Sequence, residues 1–183
     1  MVTQPEATID ALYRVRENGK AEIVAGELVA MSPAGGLPGF AATAIAASLL
    51  AHQRRHGGGR AFGDNVGFLV RLAHRRSFSP DAAWFTGPVR GLDFLEGSPA
   101  FAAEVRSKDD YGPKAEAELA AKRTDYFAAG TLVVWDVDLT SEDVVRVYTH
   151  DSPLVSRVYR RGQEADAEPA VPGWRMPVAE LFD

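Results

Sequence analysis

The hydrophobic pattern of the chain changes period several times, and each change marks an element. In PEATIDALYRVRENGK, Ile9, Leu12 and Tyr13 recur at helical spacing behind Thr8, whose hydroxyl can cap a helix, and the run ends in the turn pair Asn18-Gly19. This predicts a short leading helix. AEIVAGELVAMSP alternates in two brief runs hinged at Ala25-Gly26, which predicts a β-hairpin with Glu22 and Glu27 close to its turn. GFAATAIAASLLAHQRRHGGG is rich in alanine and leucine for about four turns and stops at three glycines, the pattern of a core helix with a C-terminal breaker.

Strand-like runs follow at NVGFLVRL, DAAWFTG and FAAEVRS, separated by Gly, Pro and Ser. Residues 113–129, PKAEAELAAKRTDYFAA, read as a helix with Pro113 at its start and Gly130 just past its end. TLVVWDVDL is a nearly unbroken apolar strand, while DVVRVYTH and LVSRVYRRG alternate as an antiparallel meander would. The order helix, strands, helix, strands predicts an α/β fold built on a mixed sheet. No repeat, low-complexity tract or linker interrupts it, and 183 residues suit one domain spanning 1–183.

Composition narrows the function classes. No apolar run is long enough to span a membrane and the N-terminus has no secretory pattern, so a cytoplasmic protein without membrane contact is expected. The chain has no cysteine, which removes disulfides, thiolate zinc sites and cysteine nucleophiles, and leaves oxygen or imidazole ligands for any metal. A net charge of −5 argues against a protein that merely coats nucleic acid. The charge is uneven, however. Residues 52–76 hold six arginines (54, 55, 60, 71, 75 and 76) against the single acid Asp64, and the residues after them hold eleven basic against nineteen acidic side chains. The basic stretch reads either as a solvated helix end and loop or as a phosphate-facing rim.

The candidate chemistry centres on an acid in an apolar strand. In FAAEVRS, Glu104 and Arg106 stand two residues apart and therefore share a strand face. Asp81 follows Pro80, which places its carboxylate at a strand margin. Were the two strands neighbours, Asp81 and Glu104 would converge, and two such carboxylates resist joint ionisation unless a divalent cation lies between them. An oxygen-rich site without histidine or cysteine favours Mg²⁺ or Mn²⁺ over zinc. The same spacing also suits a structural ion pair between Glu104 and Arg106, with Asp81 capping a turn. On the following helix, Lys114, Glu118, Lys122 and Tyr126 recur in steps of four as one polar stripe. Lysine and tyrosine one turn apart can be a solvated face, or can hold a phosphate or a developing oxyanion.

Taken in series, AEIVAGELVAMSP, SPDAAWF, FAAEVRS and KRTDYFAAGTLVVWDVD resemble the successive signature blocks of the Uma2 family, also called DUF820, within the PD-(D/E)XK nuclease superfamily. The resemblance spans residues 20–150, and the closing PAVPGWRMPVAELFD has the look of some members' C-termini. It implies a restriction-endonuclease-like mixed β-sheet core flanked by helices, with an N-terminal β-hairpin. It also implies Mg²⁺- or Mn²⁺-dependent hydrolysis of phosphodiester bonds in nucleic acid, DNA above all, by a homodimer. By the same resemblance Asp81, Glu104 and the Val105 carbonyl hold the metal. Arg106 stands where the strand motif has lysine, and Lys122, in the spacing Lys122, Tyr126, Gly130, supplies an amine from the helix. Glu27, Ser107 and Tyr126 are placed around these groups. The chain departs from the family pattern at Pro38-Gly39-Phe40, where members often carry histidine, and at Lys108, where proline often follows. Arginine at position 106 leaves open a second reading, in which the fold persists as a binding or interaction module with a lapsed site.

Overall fold

The computed structural model describes residues 6–15 and 19–183. Helix α1 (Ile9–Tyr13) starts at Thr8, whose hydroxyl accepts the Ala11 N–H at 3.1 Å. Asn18, half of the expected turn pair, lies outside the described residues. Strands β1 (Ala21–Val24) and β2 (Glu27–Ala30) form the expected hairpin. Its two turn residues take positive φ, 51° at Ala25 and 77° at Gly26, as a tight two-residue hairpin turn requires. Helix α2 (Gly36–His56) ends where Gly57, at φ 68°, leaves the helical region.

Six strands precede the next long helix: β3 (Arg60–Phe62), β4 (Phe68–Leu69), β5 (Ser77–Phe78), β6 (Ala82–Phe85), β7 (Leu95–Glu96) and β8 (Phe101–Val105). After α3 (Pro113–Ala128) come β9 (Val133–Val137), β10 (Val145–Thr149), β11 (Ser152–Tyr159), β12 (Glu164–Asp166) and β13 (Arg175–Pro177), then a 3-10 turn at Val178–Leu181. The main sheet has six strands in the order β11-β10-β9-β8-β6-β3. It is mixed: β8 and β9, joined through α3, run parallel, and the other neighbours are antiparallel. Among the described residues no helix is long and apolar enough to cross a membrane.

Alternation along the central strands assigns each helix its face. Phe101, Ala103 and Val105 of β8, with Trp135 of β9, pack with Ile45 and Leu49 of α2. Ala102 and Val134 look the other way and pack with Tyr126 and Phe127 of α3. Because both faces are covered, β9 is buried along its whole length, which is why TLVVWDVDL reads as a continuous apolar run. On the α3 side the next positions are Glu104 and Asp136, paired in register, so apolar packing gives way to carboxylates where β8 and β9 end.

Two regions depart from the sequence-based expectation. NVGFLVRL does not enter the main sheet: only Phe68–Leu69 pair, in a three-stranded sheet ordered β5-β4-β7. The chain turns back at once, with the Leu72 N–H donating to the Arg75 carbonyl at 3.1 Å. Gly67 lies so close to the Phe94 ring that a Cβ there would fall 2.6 Å from it, which ties this segment to the β7 side. The C-terminal segment, for which no elements were expected, adds the β12–β13 hairpin and the final turn to the α2 side of the core. Trp174 stacks on Trp135 at 4.9 Å between ring centres and donates its indole N–H to Ser48 Oγ at 3.0 Å.

Candidate active site

Strand pairing brings Asp81 to the end of β8. Ala82 pairs with Ala103, so Asp81, one residue before β6, stands beside Glu104, near the end of β8. Its N–H donates to the Ala103 carbonyl at 3.0 Å, and its carboxylate Oδ2 accepts the Val105 N–H at 2.7 Å. Pro80 ends the strand here, and the aspartate side chain supplies the acceptor that further pairing would otherwise provide. The other oxygen, Oδ1, accepts from Lys20 Nζ at 2.6 Å, and the same ammonium lies 2.6 Å from Asp64 Oδ1.

Glu104 is met from α3. Tyr126 donates its hydroxyl to Glu104 Oε1 at 2.6 Å, and Lys122, one turn earlier, donates to Oε2 at 2.8 Å. The polar stripe of α3 thus descends from solvent into the core. Lys114 and Glu118 form an exposed pair at 3.6 Å, Lys122 is 15% exposed, and Tyr126 is fully buried and stacked on Phe78 at 4.0 Å. Lys122 Nζ also lies 3.0 Å from Glu22 Oε1. Glu22, buried in β1, accepts the Ser79 N–H at 2.9 Å and Arg75 Nη1 at 2.5 Å. Arg75 continues to Asp125 at 2.7 Å, and Asp125 pairs with His74 Nε2 at 2.7 Å.

The proton affinities follow from this arrangement. Burial pushes the Glu104 carboxyl above its usual range, and neighbouring Asp81 and Glu22 push it the same way against the pull of Lys122 and Lys20. Burial also opposes ionisation of Glu22, but Lys122, Arg75 and the Ser79 N–H outweigh it and hold this carboxyl below its usual range. For Lys122 burial favours the neutral amine, yet Glu104 and Glu22 overcome it, and the ammonium persists well above neutral pH. Lys20 is raised likewise, Asp81 and Glu104 outweighing its burial. The Tyr126 hydroxyl is raised well above its ordinary value by burial and by Glu104, so it remains a hydrogen-bond donor.

Carboxylate oxygens are hard donors, of the kind that divalent cations such as Mg²⁺ prefer. Asp81 and Glu104 act on one another electrostatically, and each of their carboxylate oxygens accepts a single hydrogen bond, which leaves a lone pair on each. Asp81 and Val105 border a cavity of about 200 Å³ whose other walls include Pro38, Gly39 and Thr43 of α2 and Asp64. Among the described residues no three His, Asp or Glu side chains are grouped to hold a metal ion. A cation here would therefore complete its shell with backbone or water oxygens, which is the habit of Mg²⁺.

The structure does not bring every expected residue to this cluster. Arg106 shares the face of Glu104 but turns to Asp136, with Nε and Nη2 each donating at 2.7 Å, and to Glu116. The alternative that the spacing also allowed, a Glu104–Arg106 ion pair, is not formed, because Asp136, the register partner of Glu104, takes the guanidinium instead. Glu27 is exposed on β2, one residue past the turn, whereas Glu22 of the same hairpin is the buried acid. Ser107 lies beyond β8 and its N–H donates to Asp110 at 2.6 Å. Of the six arginines in 52–76, Arg75 is buried against Glu22 and Asp125, and the other five are exposed. Lys20, Glu22 and Asp64 were missed as cluster members by sequence reasoning. The one signal available for Glu22 was an acid beside Ile23 in a strand, and only burial of both strand faces separates it from Glu27.

Comparison with known proteins agrees with this architecture. A crystal structure of a "putative nuclease belonging to DUF820", from Anabaena variabilis ATCC 29413, superposes with a TM-score of 0.68 at 17% sequence identity, over 96% of this chain and 97% of that one. No curated protein gives a significant match. The sequence profile described as "Uma2: Putative restriction endonuclease" matches residues 7–179. With nearly its whole length inside that profile, and with a nuclease-like fold, this chain belongs to the Uma2 family of restriction-endonuclease-like proteins.

Proposed function

We propose that the chain is one nuclease domain that hydrolyses phosphodiester bonds in nucleic acid, DNA above all, with Mg²⁺ or Mn²⁺ as cofactor. The observation that carries this reading is the juxtaposition of Asp81 and Glu104 at the ends of paired strands, beside the ammonium of Lys122. Asp81, Glu104 and the Val105 carbonyl are the groups that would hold the cation, and a cation so held lowers the pKa of a bound water and polarises the phosphate.

The remaining work falls to the chain's own residues. Lys122, held protonated by two carboxylates, is a fixed positive charge for the phosphate rather than a proton acceptor. Tyr126 orients Glu104 through its hydroxyl. Arg106 is committed to Asp136 and Glu116, so in this reading it positions the end of β8 and has no contact with substrate. The exposed arginines 54, 55, 60, 71 and 76 supply a basic rim for flanking phosphates. A cytoplasmic homodimer suits two-strand cleavage, since two-fold symmetry offers one site to each strand.

The commitment of Arg106 also favours a second reading, a retained fold whose catalysis has lapsed. Incubation of the purified protein with supercoiled plasmid, linear duplex, single-stranded DNA and RNA, each in Mg²⁺, Mn²⁺ and EDTA, separates the two. The nuclease reading expects metal-dependent cleavage of a DNA substrate; no cleavage of any substrate would favour the lapsed module.

A further inference from the structure

Lys20 occupies a position that neither the strand motif nor the helix stripe foreshadows. It stands just before β1, follows Gly19 at φ 67°, and places its ammonium 2.6 Å from both Asp64 and Asp81. Its side chain is 14% exposed, Asp81 is 18% exposed and Asp64 is 49% exposed. Asp64 and Asp81 both border the cavity beside α2. One ammonium therefore already neutralises the carboxylate that the proposed cofactor would need.

A positively charged lysine and a divalent cation at the same carboxylate repel each other, so each loosens the other's hold on it. Lys122 is poorly placed to yield, because it is held between buried Glu22 and partly buried Glu104. Lys20 has somewhere to go. Asp64, the more exposed of its two partners, keeps the ammonium paired after Asp81 is released. The long flexible side chain needs only bond rotations for this.

We infer that Lys20 is the displaceable cation of this cluster: it holds Asp81 in the metal-free chain and yields it to a divalent cation while remaining on Asp64. The inference rests on the metal-dependent reading above and adds to it a residue that sets metal affinity. Once displaced, the ammonium stands at the cavity, where it meets an entering phosphate.

The test is Mn²⁺ binding to the intact chain, followed by titration calorimetry or by the paramagnetic signal of free Mn²⁺, with no substrate present. Wild type is expected to bind, and Asp81→Asn to lose binding. Lys20→Met and Lys20→Gln are expected to bind Mn²⁺ at least about tenfold more tightly, the order of one partly buried ion pair. Asp64→Asn should weaken binding more in the presence of Lys20 than in the Lys20→Met background, because only then does a displaced ammonium lose its partner. Thermal melts in EDTA identify any variant that fails to fold, and the second Lys20 substitution covers that case. Binding by wild type with no tightening in either Lys20 variant would overturn the inference while the metal site stood. Equal losses from Asp64→Asn in both backgrounds would overturn the hand-over to Asp64. Absence of binding in every protein, the Lys20 variants included, would overturn the inference together with the reading beneath it.

Discussion

Lys122, on α3, donates to the Glu104 carboxylate on β8 at 2.8 Å, and this contact joins the helix stripe to the acid that interrupts an apolar strand. The same ammonium reaches Glu22 at 3.0 Å, so one largely enclosed cation serves a buried carboxylate, Glu22, and a partly buried one, Glu104. Removing one partner from such an arrangement leaves uncompensated charge in a poorly hydrated place.

Lys122→Met is therefore expected to cost stability as well as activity. At pH 8 the loss should be about 3 kcal/mol, the order found when one member of a buried pair is deleted. The pH dependence has a definite sign. Glu104 has a raised folded pKa, so its contribution is fully present below about pH 4.5 and is lost as pH rises through the raised value. Glu22 has a lowered one, so its contribution is present above that range and is lost as pH falls. Without Lys122 both carboxyls hold their protons more strongly, and the deficit of the variant should shrink between pH 8 and pH 5. Denaturant melts across that range check it; a deficit that grows on acidification would show that Lys122 does not neutralise these acids.

Arg106→Lys tests what the guanidinium does. The fork bonds to Asp136 and Glu116 cannot be reproduced by a single ammonium, so the variant should lose about 2 kcal/mol in denaturant melts. Cleavage per folded molecule should not rise. A gain in activity with unchanged stability would mean that this position serves the reaction and not the end of β8.

Tyr126→Phe keeps the ring on Phe78 and deletes the hydroxyl that Glu104 accepts at 2.6 Å. The loss of stability should be near 1 kcal/mol. Because a hydrogen bond to the ionised form lowers a carboxyl pKa, its removal raises that of Glu104 further. The acidic limb of the pH profile for metal binding should move to higher pH. A limb that stays in place would show that Glu104 ionisation does not control binding.

Much of this fold could be read from periodicity because its central strands are covered on both faces. TLVVWDVDL and the PKAEAELAAKRTDYFAA helix fall where the pattern put them, and the Ala25-Gly26 hinge is a tight turn. NVGFLVRL misled because an apolar run does not reveal that its chain turns back at Leu72 and pairs through only two residues. The C-terminal hairpin was invisible since its stability comes from Trp174 meeting Trp135, a contact remote in sequence. At the candidate site, residues marked by a local pattern were legible: Glu104 as an acid in an apolar strand, Lys122 and Tyr126 as polar side chains one helical turn apart. Those whose partners lie far off were not. Glu22 pairs with Arg75 across 53 positions and Lys20 with Asp81 across 61, and no local pattern records such meetings.

Metal-dependent cleavage measured beside its two carboxylate variants bears most directly on the claim that Asp81 and Glu104 share one divalent cation at a working nuclease site. Wild type, Asp81→Asn and Glu104→Gln, each first shown to be folded by its melt, are compared on supercoiled plasmid over a titration of Mg²⁺ and Mn²⁺. Wild type is expected to nick or linearise the plasmid only when metal is present, and both variants to fall by at least about 10²-fold. Cleavage that persists in EDTA, or variants that cut at the wild-type rate, would contradict that claim.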